Sequence, residues 1–273
     1  MDIVYRVKWK KVFTLLCVIL SFISVAAGCV AKNKVGKSSG EIIVFAAASL
    51  SESFQEAGKI FEEKNNIKVT FNFAGSQDLA ASLKEGAEAD VFASANMQYM
   101  MELEKEKFVS KSQIFAGNIL IICRNKKSEK KITELSHLAE KDLKIIAADK
   151  SVPAGQYFHT ALQNAVKSNA IPAEVQTNIL NNIISNELNV KNVVNKVALG
   201  EADVGIVYKT DVNEKNREQL EAVTVKEFEN TKVQYPIATI MTSKQQKQGE
   251  AFIAFLMSGE GKQILKKHGF LLD

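Results

Sequence analysis

Four short segments of this chain bring hydroxyl and backbone N–H donors to the ends of apolar runs. Ser49 follows Phe45-Ala-Ala-Ala48, and Ser76 follows Phe73-Ala-Gly75. Pro153-Ala154-Gly155 follows Ala147-Ala148-Asp149, and Asn189-Val190 opens the apolar series Val193, Val194, Val197. Each reads as a strand turning into a helix, where the first helical N–H groups have no partner within the helix. Such an end attracts an anion through its dipole and its free donors. None of the residues named in these segments is Arg or Lys. The chemistry on offer is capture of a small, fully deprotonated oxyanion by neutral donors. Tyr208, closing the run Gly205-Ile-Val-Tyr208, can add a phenolic donor.

Taken singly, Ser49, Ser76 and Asn189 are also ordinary N-cap residues. Their recurrence favours a site, together with the small residues Ala46–Ala48 and Ala74-Gly75, which let a ligand come close to the backbone. A carboxylate adjoins the turns only at Asp78 and Asp149. A cage of donors alone rejects a protonated anion, because the ligand's own proton would be buried without an acceptor. Either aspartate can supply that acceptor, so the ligand's protonation state stays open.

The elements that must position these donors follow from hydrophobic spacing. Ile42–Ala47 is an apolar strand, and Leu50, Phe54, Ala57 and Phe61 form one face of a helix over 50–64. Val69, Phe71 and Phe73 alternate as a strand; Leu79, Leu83 and Ala87 mark the next helix. Further strands are expected over 90–95, 119–123 and 144–148, and helices from Met97 and over 155–167, 190–199 and 248–257. This alternation predicts an α/β protein with mainly parallel sheets, whose ligands bind beyond the carboxyl ends of the strands. Gly86-Ala-Glu-Ala-Asp-Val91 echoes Gly200-Glu-Ala-Asp-Val204, as two similar halves would.

The N-terminus carries Arg6, Lys8, Lys10 and Lys11, then an uncharged run from Val12 to Ala27, then Gly28-Cys29. The run is shorter than the roughly 20 apolar residues a membrane span needs. It reads as a signal peptide over 1–28 that leaves Cys29 as a lipidation site, followed by a polar tether over 29–40. The soluble domain would then be extracytoplasmic, held on the outer face of the cell membrane. Removing 1–28 takes four of the 35 basic residues and one of the 31 acidic ones, so the remainder is nearly neutral and a nucleic-acid role is disfavoured. Of three cysteines, Cys17 leaves with the leader and Cys29 is the lipid site. Cys123 stands alone in the apolar strand Ile119–Cys123, a core position rather than a nucleophile.

These residues resemble the molybdate-binding proteins of bacterial ABC importers, members of the type II periplasmic binding proteins. The resemblance covers nearly all of 41–273. It rests on Val44-Phe-Ala-Ala-Ala-Ser-Leu50, Ala89-Asp-Val-Phe-Ala-Ser-Ala95, Val152-Pro-Ala-Gly155, Gly205-Ile-Val-Tyr208, Tyr235-Pro-Ile237 and the tail Gly259-Glu-Gly-Lys-Gln-Ile-Leu265 with His268-Gly-Phe270. It implies two α/β lobes closing over the ligand, lobe I from 41–119 and 237–273 and lobe II from 120–236. It implies molybdate or tungstate held by Ser49, Ser76, the backbone of Ala154 and Val190, and the Tyr208 hydroxyl. It further implies a monomer without cofactor or direct protein–metal ligands, serving an ABC permease and its ATPase subunit. Sulfate or phosphate is the rival ligand within the same class; ferric ion is disfavoured by the lack of adjacent tyrosines. An enzyme is the rival class. It would need Ser49 or Ser76 as nucleophile and His137, His159 or His268 as base, and no Gly-x-Ser-x-Gly elbow is present.

Overall fold

The computed structural model describes residues 40–229 and 231–272, all within the unit Ser38–Asp273. The expected signal segment, Cys29 and the tether up to residue 39 lie outside the described residues. The strands form two sheets. The first contains β1 (Gly40–Ala47), β2 (Ile67–Ala74), β3 (Val91–Ala93), β4 (Gln113–Asn118) and β10 (Val233–Thr239), in the order β2-β1-β3-β10-β4. The second contains β5 (Leu120–Asn125), β6 (Ile145–Ala148), β7 (Ile183–Glu187), β8 (Val204–Tyr208) and β9 (Leu220–Val223), in the order β7-β6-β8-β5-β9.

The two sheets share one plan. β1 runs parallel to β2 and β3, as β6 does to β7 and β8. β10 is antiparallel to β3 and β4, as β5 is to β8 and β9. The parallel strands expected from the alternation thus form a three-strand block in each sheet. The antiparallel partners arise where the chain crosses between halves. β4 ends at Asn118 and β5 begins at Leu120 in the other sheet, with only Ile119 between them. The short sequence echo fits this plan: its two copies lead into β3 and β8, which hold equivalent places.

Helices flank both sheets. In the first half they are α1 (Ser51–Asn65), α2 (Ser76–Lys84), α3 (Met97–Lys105), and later α8 (Gln246–Met257) and α9 (Gly259–Lys267). In the second they are α4 (Pro153–Lys167), α5 (Ala173–Asn181), α6 (Val190–Leu199) and the short α7 (Lys226–Glu229). α1 buries Phe54, Ala57 and Phe61, the face expected from their spacing, and ends where Asn66 turns left-handed at φ 55°. Phe54 and Phe61 meet Phe252 of α8 edge-on, with ring centroids 5.9 and 5.3 Å apart. Truncating one such buried phenylalanine costs about 3–5 kcal/mol. Cys123 is a free, buried thiol, and burial pushes its pKa up to about 12, so it packs rather than reacts. No helix among the described residues is long and apolar enough to cross a membrane.

Candidate functional site

The carboxyl ends of the three parallel strands in each sheet converge on one small cavity. Ala47–Ser49 follow β1, Gly75-Ser76 follow β2 and Ala95 follows β3; Val152–Ala154 follow β6, Asn189-Val190 follow β7 and Tyr208 ends β8. All five donors expected from the sequence, Ser49, Ser76, Ala154, Val190 and Tyr208, line this cavity. Its volume is about 10 Å³. That is about the room one water needs, so the cavity as it stands excludes a sugar or a peptide.

The serines do not act as helix caps. The segment Ala48–Leu50 is a 3-10 turn, and α1 begins only at Ser51 behind Leu50. Ser76 is the first residue of α2, and the N-cap is Gly75. Their oxygens bond elsewhere than to a helix N-terminus: Ser49 Oγ lies 3.0 Å from Tyr235 Oη, and Ser76 Oγ accepts the Ala95 N–H at 3.0 Å. Asn189 does cap its helix, accepting the Asn192 N–H at 3.0 Å, which leaves the earlier N–H groups of α6 facing the cavity. α4 has no side-chain cap and carries Pro153 at its first turn. Gly155 lets that end seat tightly, since a Cβ there would lie 2.1 Å from the Asp149 carbonyl oxygen.

Tyr208 is 1 % exposed, and its hydroxyl has no hydrogen-bond partner among the described residues. Burial, with Tyr235 and Tyr157 nearby, holds its pKa well above the ordinary phenol value, so it remains a neutral donor. Leaving such a group unpaired costs about 1–3 kcal/mol, which an anion in the cavity would offset.

The lining holds no ionised side chain. Asp78 takes the Gln77 amide and Asp149 accepts the Ser151 N–H and hydroxyl at 2.9 and 2.7 Å, so neither of these carboxylates supplies an acceptor to the cavity. The Ser151 bonds hold the Asp149 pKa below its usual value. His137, His159 and His268 are also absent from the lining, which leaves the serines without a base. No group of His, Cys, Asp and Glu among the described residues could hold a metal ion. Tyr157, Tyr208 and Tyr235 do gather, with neighbouring ring centroids 6.5 and 5.9 Å apart, but only Tyr208 reaches the cavity.

Bonds between the two halves enclose the site. Asn96 Nδ2 donates to Gln156 Oε1 at 2.7 Å, Gln77 Nε2 donates to the Leu188 carbonyl at 2.7 Å, and the Tyr99 hydroxyl donates to the Ser151 carbonyl. Gly75 permits this closeness: a Cβ there would come within 2.5 Å of the Leu188 oxygen. Lys191, next to Val190, pairs with Glu52 of α1 at 2.8 Å and with Asp211 at 3.1 Å. Burial opposes the Lys191 charge, but Asp211 and Glu52 together hold its pKa above the ordinary lysine value. Asp211 also accepts the Tyr208 N–H at 3.0 Å. Burial pushes Asp211 upward against the pull of Lys191. This cation, adjacent in sequence to a lining residue, is therefore already matched by carboxylates. Sequence reasoning assigned no role to Lys191, Asn96 or Gln156, and quoted Tyr235 in a motif without giving it a task.

Comparison with known proteins agrees with this geometry. Residues 42–271 match the family described as "Bacterial extracellular solute-binding protein". The molybdate-binding protein ModA of Mycobacterium tuberculosis is 33% identical over 244 residues, covering 88% of each chain. That of Escherichia coli is 28% identical over 246 residues, covering 85% of this chain and 90% of its own. The solved periplasmic molybdate-binding protein of Azotobacter vinelandii shares the fold at a TM-score of 0.70 and 16% identity, covering 85% of this chain and 99% of that one. With a two-lobed α/β fold and a small cavity between the lobes, this chain belongs to the bacterial extracellular solute-binding proteins, which are transport proteins and not enzymes.

Proposed function

We propose that this protein captures molybdate, and tungstate with it, outside the cytoplasm and delivers it to an ABC permease and its ATPase subunit. The observation that carries the reading is a compact cavity lined by neutral donors from both lobes and by no ionised side chain. Several dipoles sharing a dianion's charge stabilise it without a mobile cation, and exclusion of water strengthens each bond. The ModA relatives support molybdate over other oxyanions. Ser49, Ser76 and Tyr208 would donate through hydroxyls, and Ala154 and Val190 through backbone N–H groups. We further propose anchoring to the outer face of the membrane through lipid on Cys29, action as a monomer, and lobes at 41–119 with 233–273 and at 120–232. The return to lobe I is set earlier than residue 237 because β10 pairs with β4 from Val233 onward.

Thermal unfolding of ligand-free protein with molybdate, tungstate, sulfate or phosphate tests the reading. The sole tryptophan is Trp9 in the expected leader, so calorimetry or an added dye supplies the signal. At free ligand 1,000 times Kd, binding adds about 4 kcal/mol, or roughly 8–16 °C for a domain of this size. A shift with molybdate and tungstate alone is expected. A shift with sulfate or phosphate instead keeps the site and replaces the ligand; no shift with any of the four removes the function.

A further inference from the structure

Tyr235 is fully buried and absent from the cavity lining, yet its hydroxyl lies 3.0 Å from Ser49 Oγ and 3.4 Å from Asn118 Nδ2. The direction of these bonds can be worked out. Asn118 Oδ1 accepts the Ile119 N–H at 2.8 Å, and this fixes which end of the amide is nitrogen. Asn118 Nδ2 is a donor only, so Tyr235 Oη accepts from it, as Thr210 Oγ1 does at 2.9 Å. The single Tyr235 proton is then left for Ser49 Oγ. With that oxygen accepting from behind, the Ser49 proton points into the cavity. Ser76 has the same arrangement from a different donor, since the Ala95 N–H can only donate. Both serines are thus backed by a donor that turns their own protons forward.

We propose that Tyr235 is a positioning residue that makes Ser49 an obligate donor to the bound anion, through a relay from Asn118 to Tyr235 to Ser49. The relay starts at Asn118, where β4 passes to β5 across Ile119, so the crossing segment and the ligand donor are one hydrogen-bonded unit. Tyr235 touches the anion nowhere; it acts only by holding the Ser49 oxygen. The Tyr235 ring is independently secured by edge contacts to Phe270 at 5.4 Å, Tyr208 at 5.9 Å and Phe115 at 6.3 Å. Removing the hydroxyl therefore leaves the packing in place. The inference rests on the oxyanion reading above.

The test is a double-mutant cycle with wild type, Ser49→Ala, Tyr235→Phe and the double variant, each titrated calorimetrically with molybdate. Tyr235→Phe is expected to weaken binding about 2- to 13-fold, the range of one mispositioned hydrogen bond. The double variant is expected to bind within about twofold of Ser49→Ala alone, because Tyr235 has nothing to act through once Ser49 is gone. Fold losses that multiply, or wild-type affinity in Tyr235→Phe, would overturn the relay. If wild type fails to bind molybdate, the function falls, and the cycle is run with whichever of tungstate, sulfate or phosphate does bind. Urea unfolding of the same four ligand-free proteins reads the Ser49–Tyr235 bond without any anion. Non-additive stability losses are expected there, and additive ones overturn the relay whatever the ligand.

Discussion

Replacing Tyr208 by phenylalanine should move folding and binding in opposite directions. The Tyr208 hydroxyl is buried and has no partner among the described residues, so its removal takes no hydrogen bond from the ligand-free protein. It instead relieves an unsatisfied buried group, a gain of about 1 kcal/mol, or roughly 2–4 °C in Tm. With an anion present the same hydroxyl is a donor to charge, and its loss costs about 1.5–3 kcal/mol, which raises Kd roughly 13- to 160-fold. The ring contacts to Tyr157 and Tyr235 survive in phenylalanine, so packing is held constant. Calorimetric unfolding without ligand and titration with molybdate measure the two effects on one preparation. A ligand-free Tm that falls by several degrees would show that the hydroxyl has a structural partner. An unchanged Kd would show that it does not face the anion.

Ser49→Ala and Ser76→Ala should each weaken molybdate binding by about 1.5–3 kcal/mol in titration calorimetry; unchanged affinity removes that serine from the site. Gly75→Ala places a methyl group 2.5 Å from the Leu188 oxygen. It should hinder closure and cost at least tenfold in affinity, with little change in ligand-free Tm; normal affinity would mean the halves need not approach there. Lys191→Met strands the fully buried Asp211 carboxylate and should destabilise the fold by about 3 kcal/mol, visible in urea unfolding. Glu56 is held below its ordinary pKa by Lys267 and then His268. Its stabilisation is therefore present above the unfolded value and lost as pH falls through the lower folded value. The melting temperature should drop from about pH 5 toward pH 3, less steeply in Glu56→Gln; equal slopes would exclude this pair as a contributor.

The residues that line the cavity were legible in the sequence because each is local: a small residue or serine after an apolar run is a feature of a few neighbouring residues. Strands β1 and β2 and the stripes of α1 and α6 were legible for the same reason, with Phe54, Ala57 and Phe61 or Val190, Val193, Val194 and Val197 at helical spacing. β4 and β9 escaped notice because Gln113–Asn118 and Leu220–Val223 are short and mixed in polarity, and become strands only through partners in other parts of the chain. β7 was marked only by the turn at its end, since Ile184 on one face remains exposed. The hidden part of the site is non-local as well. Ser49 and Tyr235 are 186 residues apart, and no periodicity announces that their hydroxyls meet. Nor did composition reveal that Ser49 and Ser76 turn away from capping.

On the proposed function the donors reach the anion from both halves, so parting the halves would withdraw one set of them. Parting the halves would break Asn96–Gln156, Gln77–Leu188 and Lys191–Glu52 together. The rate of opening would then set the upper limit on how fast any anion leaves. Two anions of unequal affinity that leave the closed form equally intact should share one ceiling on their dissociation rate. Their difference in affinity should fall instead on how often the opened protein recloses before the ion escapes. A partner that pried the halves apart would unload the site without competing for a single donor.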